Sequence, residues 1–276
     1  MDKILVTVFP DEGAAFDGLN ALRDLHFKGD ITLYSSTIIA KRADGTAQEL
    51  DSHDPDAPLG GPLGLVTGAL LGLIGGPVGV AVGATFGVTT GMLYDLVQLG
   101  IGSDFLDEVK TAIEPGSVAL VAEIDEGWMA PVDTRMTALG GQTFRRVPAD
   151  MVDDQINRDI DSMSAELAQL HAELRDSTHE AKDAISKRID ADAGKIEQLK
   201  KRADNAIEKA KANYDARLAT LRAQREHAAE QRKAAIDERI AEAKADYELR
   251  RGKLERAHDL SKQAGELRRE ALSPTH

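Results

Sequence analysis

Apolar and polar positions follow three different patterns along this chain. In the first, short β-branched runs alternate with helical stripes. Lys3 to Phe9 (KILVTVF), ended by Pro10, predicts a buried strand. Asp11 to Phe27 then places Ala15, Leu19, Leu22 and Phe27 at near-helical spacing, with acids in the first turn and Gly29-Asp30 as the stop. A second strand is predicted over Ile31 to Lys41, and Ala43-Asp44-Gly45 forms a hairpin turn before Thr46 to Leu50. Further on, Phe105, Val109 and Ile113 mark a helix stopped by Pro115 and Gly116. Ser117 to Ile124 (SVALVAEI) is the clearest strand, followed by a helix over Pro131 to Leu139 and a strand over Gln142 to Val147. The order β-α-β-β-(insertion)-α-β-α-β predicts an α+β, ferredoxin-like sheet formed by residues 1–58 and 94–150. Such a sheet has one face covered by helices and can leave the other for a partner.

The second pattern is the insertion, residues 59–93. Between Asp56 and Asp95 about 38 positions carry no charge, in a chain that is 29% charged. Gly60, Gly64, Gly68 and Gly72 recur every four residues; after Gly75-Gly76-Pro77 the spacing resumes with Gly79, Gly83, Gly87 and Gly91. Glycines at every fourth position share one helix face and let another backbone approach closely, so the segment predicts a glycine-zipper helical hairpin. Each arm, Leu59 to Ile74 and Val78 to Leu93, covers roughly 24 Å at the helical rise, short of a bilayer core of about 30 Å. The alternatives are a hairpin inserted into a thinned bilayer, a re-entrant hairpin and a hairpin buried between subunits. The acidic flanks Asp51, Asp54, Asp56, Asp95 and Asp104 give no orientation by the positive-inside rule.

The third pattern fills residues 151–276, where Met163, Leu174, Ile185, Ile196, Ile207, Leu218, Ala229 and Ile240 fall at steps of eleven. A parallel row through Leu199, Ala210, Leu221, Ala243 and Leu254 is interrupted by Arg232, and a row through Tyr214, Ile236 and Tyr247 is broken by Arg225. Eleven residues over three turns predict a long, nearly straight hendecad helix or coiled coil. Its stripe is narrow and Ala-rich, so it must pack on a partner copy or fold back on itself. The competing reading is an amphipathic helix lying on a lipid surface, for whose apolar face only Tyr214 and Tyr247 are available as bulky aromatics.

Composition narrows the chemistry. With no Cys there is no disulfide framework, thiolate zinc site or cysteine nucleophile. The formal charge of -13 argues against nucleic acid. That charge sits almost entirely in residues 1–150, with 9 basic and 21 acidic side chains; the remainder has 25 and 26. No Lys follows the glycines, so they are no phosphate loop, and no histidine pair has the spacing of a metalloprotease helix. His53 with Asp54 and Asp56 reads as a polar loop before a metal site, and Glu123, Asp125 and Glu126 read as a solvated turn before a catalytic carboxylate pair. Trp128, alone in the chain, reads as a packing or interface residue. No catalytic residue, cofactor or metal is expected, and the short apolar run at Ile4 to Phe9 does not suit an export signal, which points to the cytoplasm and the inner face of its membrane.

KILVTVF, a short acidic helix, ITLYSSTIIAKRADGTAQEL and then GGPLGLVTGALLGLIGGPVGVAVGATFGVTTG together resemble a bacterial family of unknown function described as predicted membrane proteins. The resemblance covers roughly residues 1–150. It implies a ferredoxin-like domain with an inserted glycine-rich hairpin and carries over no functional residues. The resulting expectation is a non-enzymatic, homo-oligomeric scaffold whose glycine hairpins cluster or contact lipid, with ring closure if the subunit rotation permits it. The alternative is a membrane-anchored sensor or regulator that binds a small ligand on the ferredoxin-like sheet.

Overall fold

A computed structural model describes residues 2–53, 62–74, 101, 103–148, 151–175 and 179–272. Gly60, Gly79, Gly83, Gly87 and Gly91, the second glycine arm, Asp54 and Asp56 lie outside the described residues. The chain divides into two compact units, Met1–Met151 with Ala216–Ala241, and Val152–Asp215 with Glu242–His276.

In the first unit, β1 (Asp2–Phe9) leads into α1 (Glu12–Phe27), β2 (Ile31–Lys41) and β3 (Ala47–His53). Next come α2 (Pro62–Ile74), α3 (Ser103–Ala112), β4 (Val118–Glu126), α4 (Ala130–Ala138) and β5 (Gln142–Arg146). The strands form one antiparallel sheet in the order β3-β2-β4-β1-β5. Thus β1 and β2, joined by α1, flank β4, while β4 and β5, joined by α4, flank β1.

Local chemistry sets the boundaries of α1. Asp11 caps its first turn by accepting the Ala14 N–H at 2.9 Å. At the other end Gly29, at φ +75°, turns the chain so that its N–H reaches His26 O and the Asp30 N–H reaches Leu25 O. These are the paired bonds of a Schellman ending, and they need the left-handed conformation that glycine adopts without strain.

The central strand β4 is buried at all nine positions, because both faces of the sheet are covered. Against one face α1 and α4 pack Leu19, Leu22, Val132 and Met136 onto Leu5, Ile38, Leu120 and Ala122. Against the other, α2 and α3 bring Val66, Leu70, Ile74, Phe105 and Val109 onto Ile4, Val6, Ile39, Ala119 and Val121. Side chains fully buried in this way each contribute about 1.5–3 kcal/mol. The second face is therefore not left open, as the sequence pattern suggested. Its apolar half lies under α2 and α3, and its polar half, with Thr32 and Glu123, meets residues 216–241.

The long C-terminal segment is folded back and is not one unbroken helix. It comprises α5 (Met151–Arg175), α6 (His179–His227) and α7 (Glu230–Leu272). In the second unit, the pairs Arg202–Asp159 and Arg188–Glu173 run α5 antiparallel to α6, and His258–Asp204 and Arg268–Asp190 do the same for α6 and α7. Arg250 with Asp153 and Arg256 with Asp161 set α7 parallel to α5. The product is a three-helix bundle.

Its core corrects the hendecad expectation. Ile156, Ile160, Leu167, Leu170 and Leu174 on α5, and Ile185, Ile189, Ile196, Leu199, Ala203 and Ala206 on α6, follow alternating steps of four and three once Met163 and Asp192 fill the two steps of seven. That is a heptad pattern, the seam of left-handed helix packing. Of the eleven-step series, Leu174, Ile185 and Ile196 lie in this core, with Met163 and Ile207 at its margin. Leu218 and Ile240 are half-buried in the first unit, and Ala229 is exposed at the break between α6 and α7. Within the second unit every position of the row lies in or beside the core, and the row leaves it where α6 passes into the first unit at Ala216.

Candidate functional site

Two places carry features that the fold alone does not require. One is the outward side of α2. Val66, Leu70 and Ile74 repeat every four residues toward the sheet. Gly64, Gly68 and Gly72 are offset from them by two residues, about 200° around the helix. The glycine stripe thus faces away from its own sheet. A Cβ placed on Gly64 would meet nothing within 4 Å, and Gly68 and Gly72 are half-buried. No charged residue occurs in this helix. At 13 residues it is short, and among the described residues no helix is long and apolar enough to cross a membrane.

The other place is the corner where α1 passes into β2. Residues 216–241, the end of α6 and the start of α7, clasp it with polar groups. Gln224 is buried and donates from Nε2 to the carbonyls of His26 and Ile31, both at 2.7 Å, while its Oε1 accepts from Thr32 Oγ1 at 2.9 Å. Arg239 donates to the same Thr32 hydroxyl at 3.1 Å and to Asp30 O at 3.2 Å. Arg232 pairs with the Asp30 carboxylate at 2.7 Å and lays its stem against Gly29, where an added Cβ would come within 3.2 Å of it. Gly29 is therefore needed twice, for its turn and for this close approach. Arg217 completes the set, bonded to Glu123 at 2.8 Å with its guanidinium 5.6 Å from the Tyr34 ring centre.

His26 stands inside this clasp. Its Nδ1 accepts the Leu33 N–H at 3.1 Å, which places the proton of the neutral ring on Nε2. Burial, and then the Arg239 guanidinium, hold the imidazole below its usual range. With Phe27, Ala223, Gln224 and His227 it lines a cavity of about 150 Å³.

The acids after the clearest strand are not a solvated turn. All three lie within β4 and are buried. Glu126 is held by Lys3 at 3.2 Å and Arg145 at 2.6 Å, and Arg145 also reaches Asp133 at 2.6 Å. A carboxylate can enter a strand covered on both faces when cations accompany it. Trp128 is 71% exposed, beside half-exposed Met129. No group of three or more metal-ligating acids or histidines occurs among the described residues.

From the sequence, Gln224, Arg217 and His26 carry no assigned role and Arg239 reads as a surface ion pair with Glu238 and Glu242; it bonds Thr32 and Asp30 O instead. A signal was present: Arg225 and Arg232 interrupt the apolar rows of the long helices in the segment that joins the first unit. Arg225 pairs with Asp237 across the α6–α7 hairpin, and Arg232 pairs with Asp30.

Comparison with known proteins adds one match. The family described as "Protein of unknown function (DUF1269)" matches residues 62–160, from α2 to the first turns of α5. Its extent differs from that of the resemblance drawn from residues 1–150: it omits β1 to β3 and runs further toward the C-terminus. No curated protein matches the chain. No solved structure matches it either.

Proposed function

We propose that the chain is a non-enzymatic, self-assembling structural protein, built on a ferredoxin-like domain, whose α2 meets other copies or a lipid surface through its outward glycine face. The observation that carries this reading is the disposition of α2, an uncharged helix that uses one apolar side on its own sheet and turns Gly64 to open space. A helix apolar all round is normally covered on both sides. Small residues on the free side permit the close backbone contact by which such helices associate. The ferredoxin-like reading is supported by the strand order β5-β1-β4-β2 with its two split β-α-β units, to which β3 adds an edge strand.

The test is Gly64→Glu. Among the described residues nothing opposes a side chain there, and Glu favours helix more than Gly does, so the fold is retained. A carboxylate on a helix-to-helix or helix-to-lipid contact must weaken it. Mass photometry of the full-length protein is expected to show oligomers, and the variant to dissociate at least about tenfold more readily, corresponding to about 1.4 kcal/mol. Liposome flotation with neutral vesicles distinguishes lipid contact from self-contact. A wild-type monomer that does not float with the vesicles overturns the reading.

A further inference from the structure

We propose that residues 216–241 are an acid-releasable clasp on the α1–β2 corner, and that protonation of His26 opens it.

The clasp holds the apolar side chains Leu221 and Ile236 fully buried, and its contacts to the α1–β2 corner include a set of polar bonds. Gln224, Arg239, Arg232 and Arg217 reach backbone carbonyls, the Thr32 hydroxyl, Asp30 and Glu123. Each net bond of this kind is modest, yet a buried partner left without one carries its full desolvation cost. Loss of one anchor therefore weakens the rest, and the set opens together.

His26 lies where a proton does the most damage. In the neutral ring Nδ1 is the acceptor for Leu33 N–H, and protonation turns that acceptor into a donor facing another donor. It also sets a second cation beside Arg239, whose guanidinium holds Thr32 and Asp30 O. Among the described residues no carboxylate acts on His26 to offset it. Asp24, on the same helix, is bonded to Lys28 and Arg135, and Asp30 is paired with Arg232. From α6 the cavity offers a second imidazole, His227, which brings no negative charge, and β2 supplies the Leu33 amide to His26 and the Thr32 hydroxyl to Gln224. Release uncovers Thr32 and Glu123 on the second face of the sheet.

Hydrogen exchange of the full-length protein, read by mass spectrometry at pH 7.5 and pH 5.0 and corrected for intrinsic rates, tests this. Protection over residues 28–36 and 217–241 is expected to fall at least about tenfold at the lower pH, because a group whose folded form resists protonation loses stability as pH drops below its ordinary value. The centre of β4, residues 118–124, keeps its protection. His26→Asn, which retains an acceptor but does not titrate, is expected to stay protected at both pH values, and Gln224→Ala to be loosened at both. Equal wild-type protection at the two pH values overturns the proposal, as does a His26→Asn variant that follows the wild-type pH dependence. If His26→Asn fails to fold, the wild-type comparison decides alone.

Discussion

Two glycines inside helices show how much depends on one missing methyl group. Gly18, in α1, lies against Phe9: an added Cβ would come within 2.5 Å of Cζ, and that ring is 1% exposed. Gly18→Ala gains about 1 kcal/mol of helix propensity but must displace a core ring. The clash outweighs the gain, and a net loss of about 1–2 kcal/mol is expected in the urea midpoint. Gly194, in α6, has nothing within 4 Å of its Cβ position, so Gly194→Ala is expected to stabilise by about 0.5–1 kcal/mol. A pair of variants that shift the midpoint the same way would contradict the packing at Gly18. Both glycines carry the same low helix propensity; which one is structurally required depends on what lies opposite it. The same holds for Gln224, one polar residue among many on a charged helix, until the carbonyls of His26 and Ile31 are placed beside it.

Among the elements, the strands of the first unit were legible because burial and β-branching coincide there. β2 is found over the span that its pattern predicts, and the other strands lie within a few residues of theirs. The long helices misled for a physical reason: a walk of four, three and four along a heptad seam also covers eleven residues, so short stretches satisfy both repeats. Charge at a seam position hid the correct period further. Asp192 occupies the step between Ile189 and Ile196, is 3% exposed, and pairs through Oδ1 with Lys195 at 2.8 Å. Its Oδ2 has no hydrogen-bonding partner among the described residues. A carboxylate there loses more solvation than one partly exposed Lys returns. Asp192→Leu is expected to raise stability by about 1–2 kcal/mol, seen as a higher thermal midpoint in helical circular dichroism. A lower midpoint would mean that Asp192 is what holds the heptads in register.

At the scale of the whole molecule, contiguity in sequence and contiguity in the fold part company. The matched segment 62–160 contains β4 and β5, yet these strands are not neighbours, because β1 lies between them. Both partners of β4 are outside the segment: β1 registers with it from Asp2 to Phe9 and β2 from Ile31 to Ala40. Residues 216–241 also belong to the first unit although 64 residues separate them from Met151. A pattern read along the chain could not place them there, since the bonds they make use ordinary surface residue types. A polypeptide limited to residues 62–160 would leave the nine-residue β4, whose residues 118–122 are apolar on both faces, with neither neighbour and with its backbone donors and acceptors unpaired. Its expected behaviour is a chain without sheet signal in circular dichroism, without dispersed amide resonances, and prone to aggregate. Residues 1–151 restore β1 and β2 and should give the sheet signal, but without Gln224 and Arg239 the α1–β2 corner is expected to exchange its amides faster than in the full chain. A cooperative, sheet-containing fold from residues 62–160 alone would mean that β4 does not depend on β1 and β2, and the antiparallel order on which the clasp site rests would fall with it.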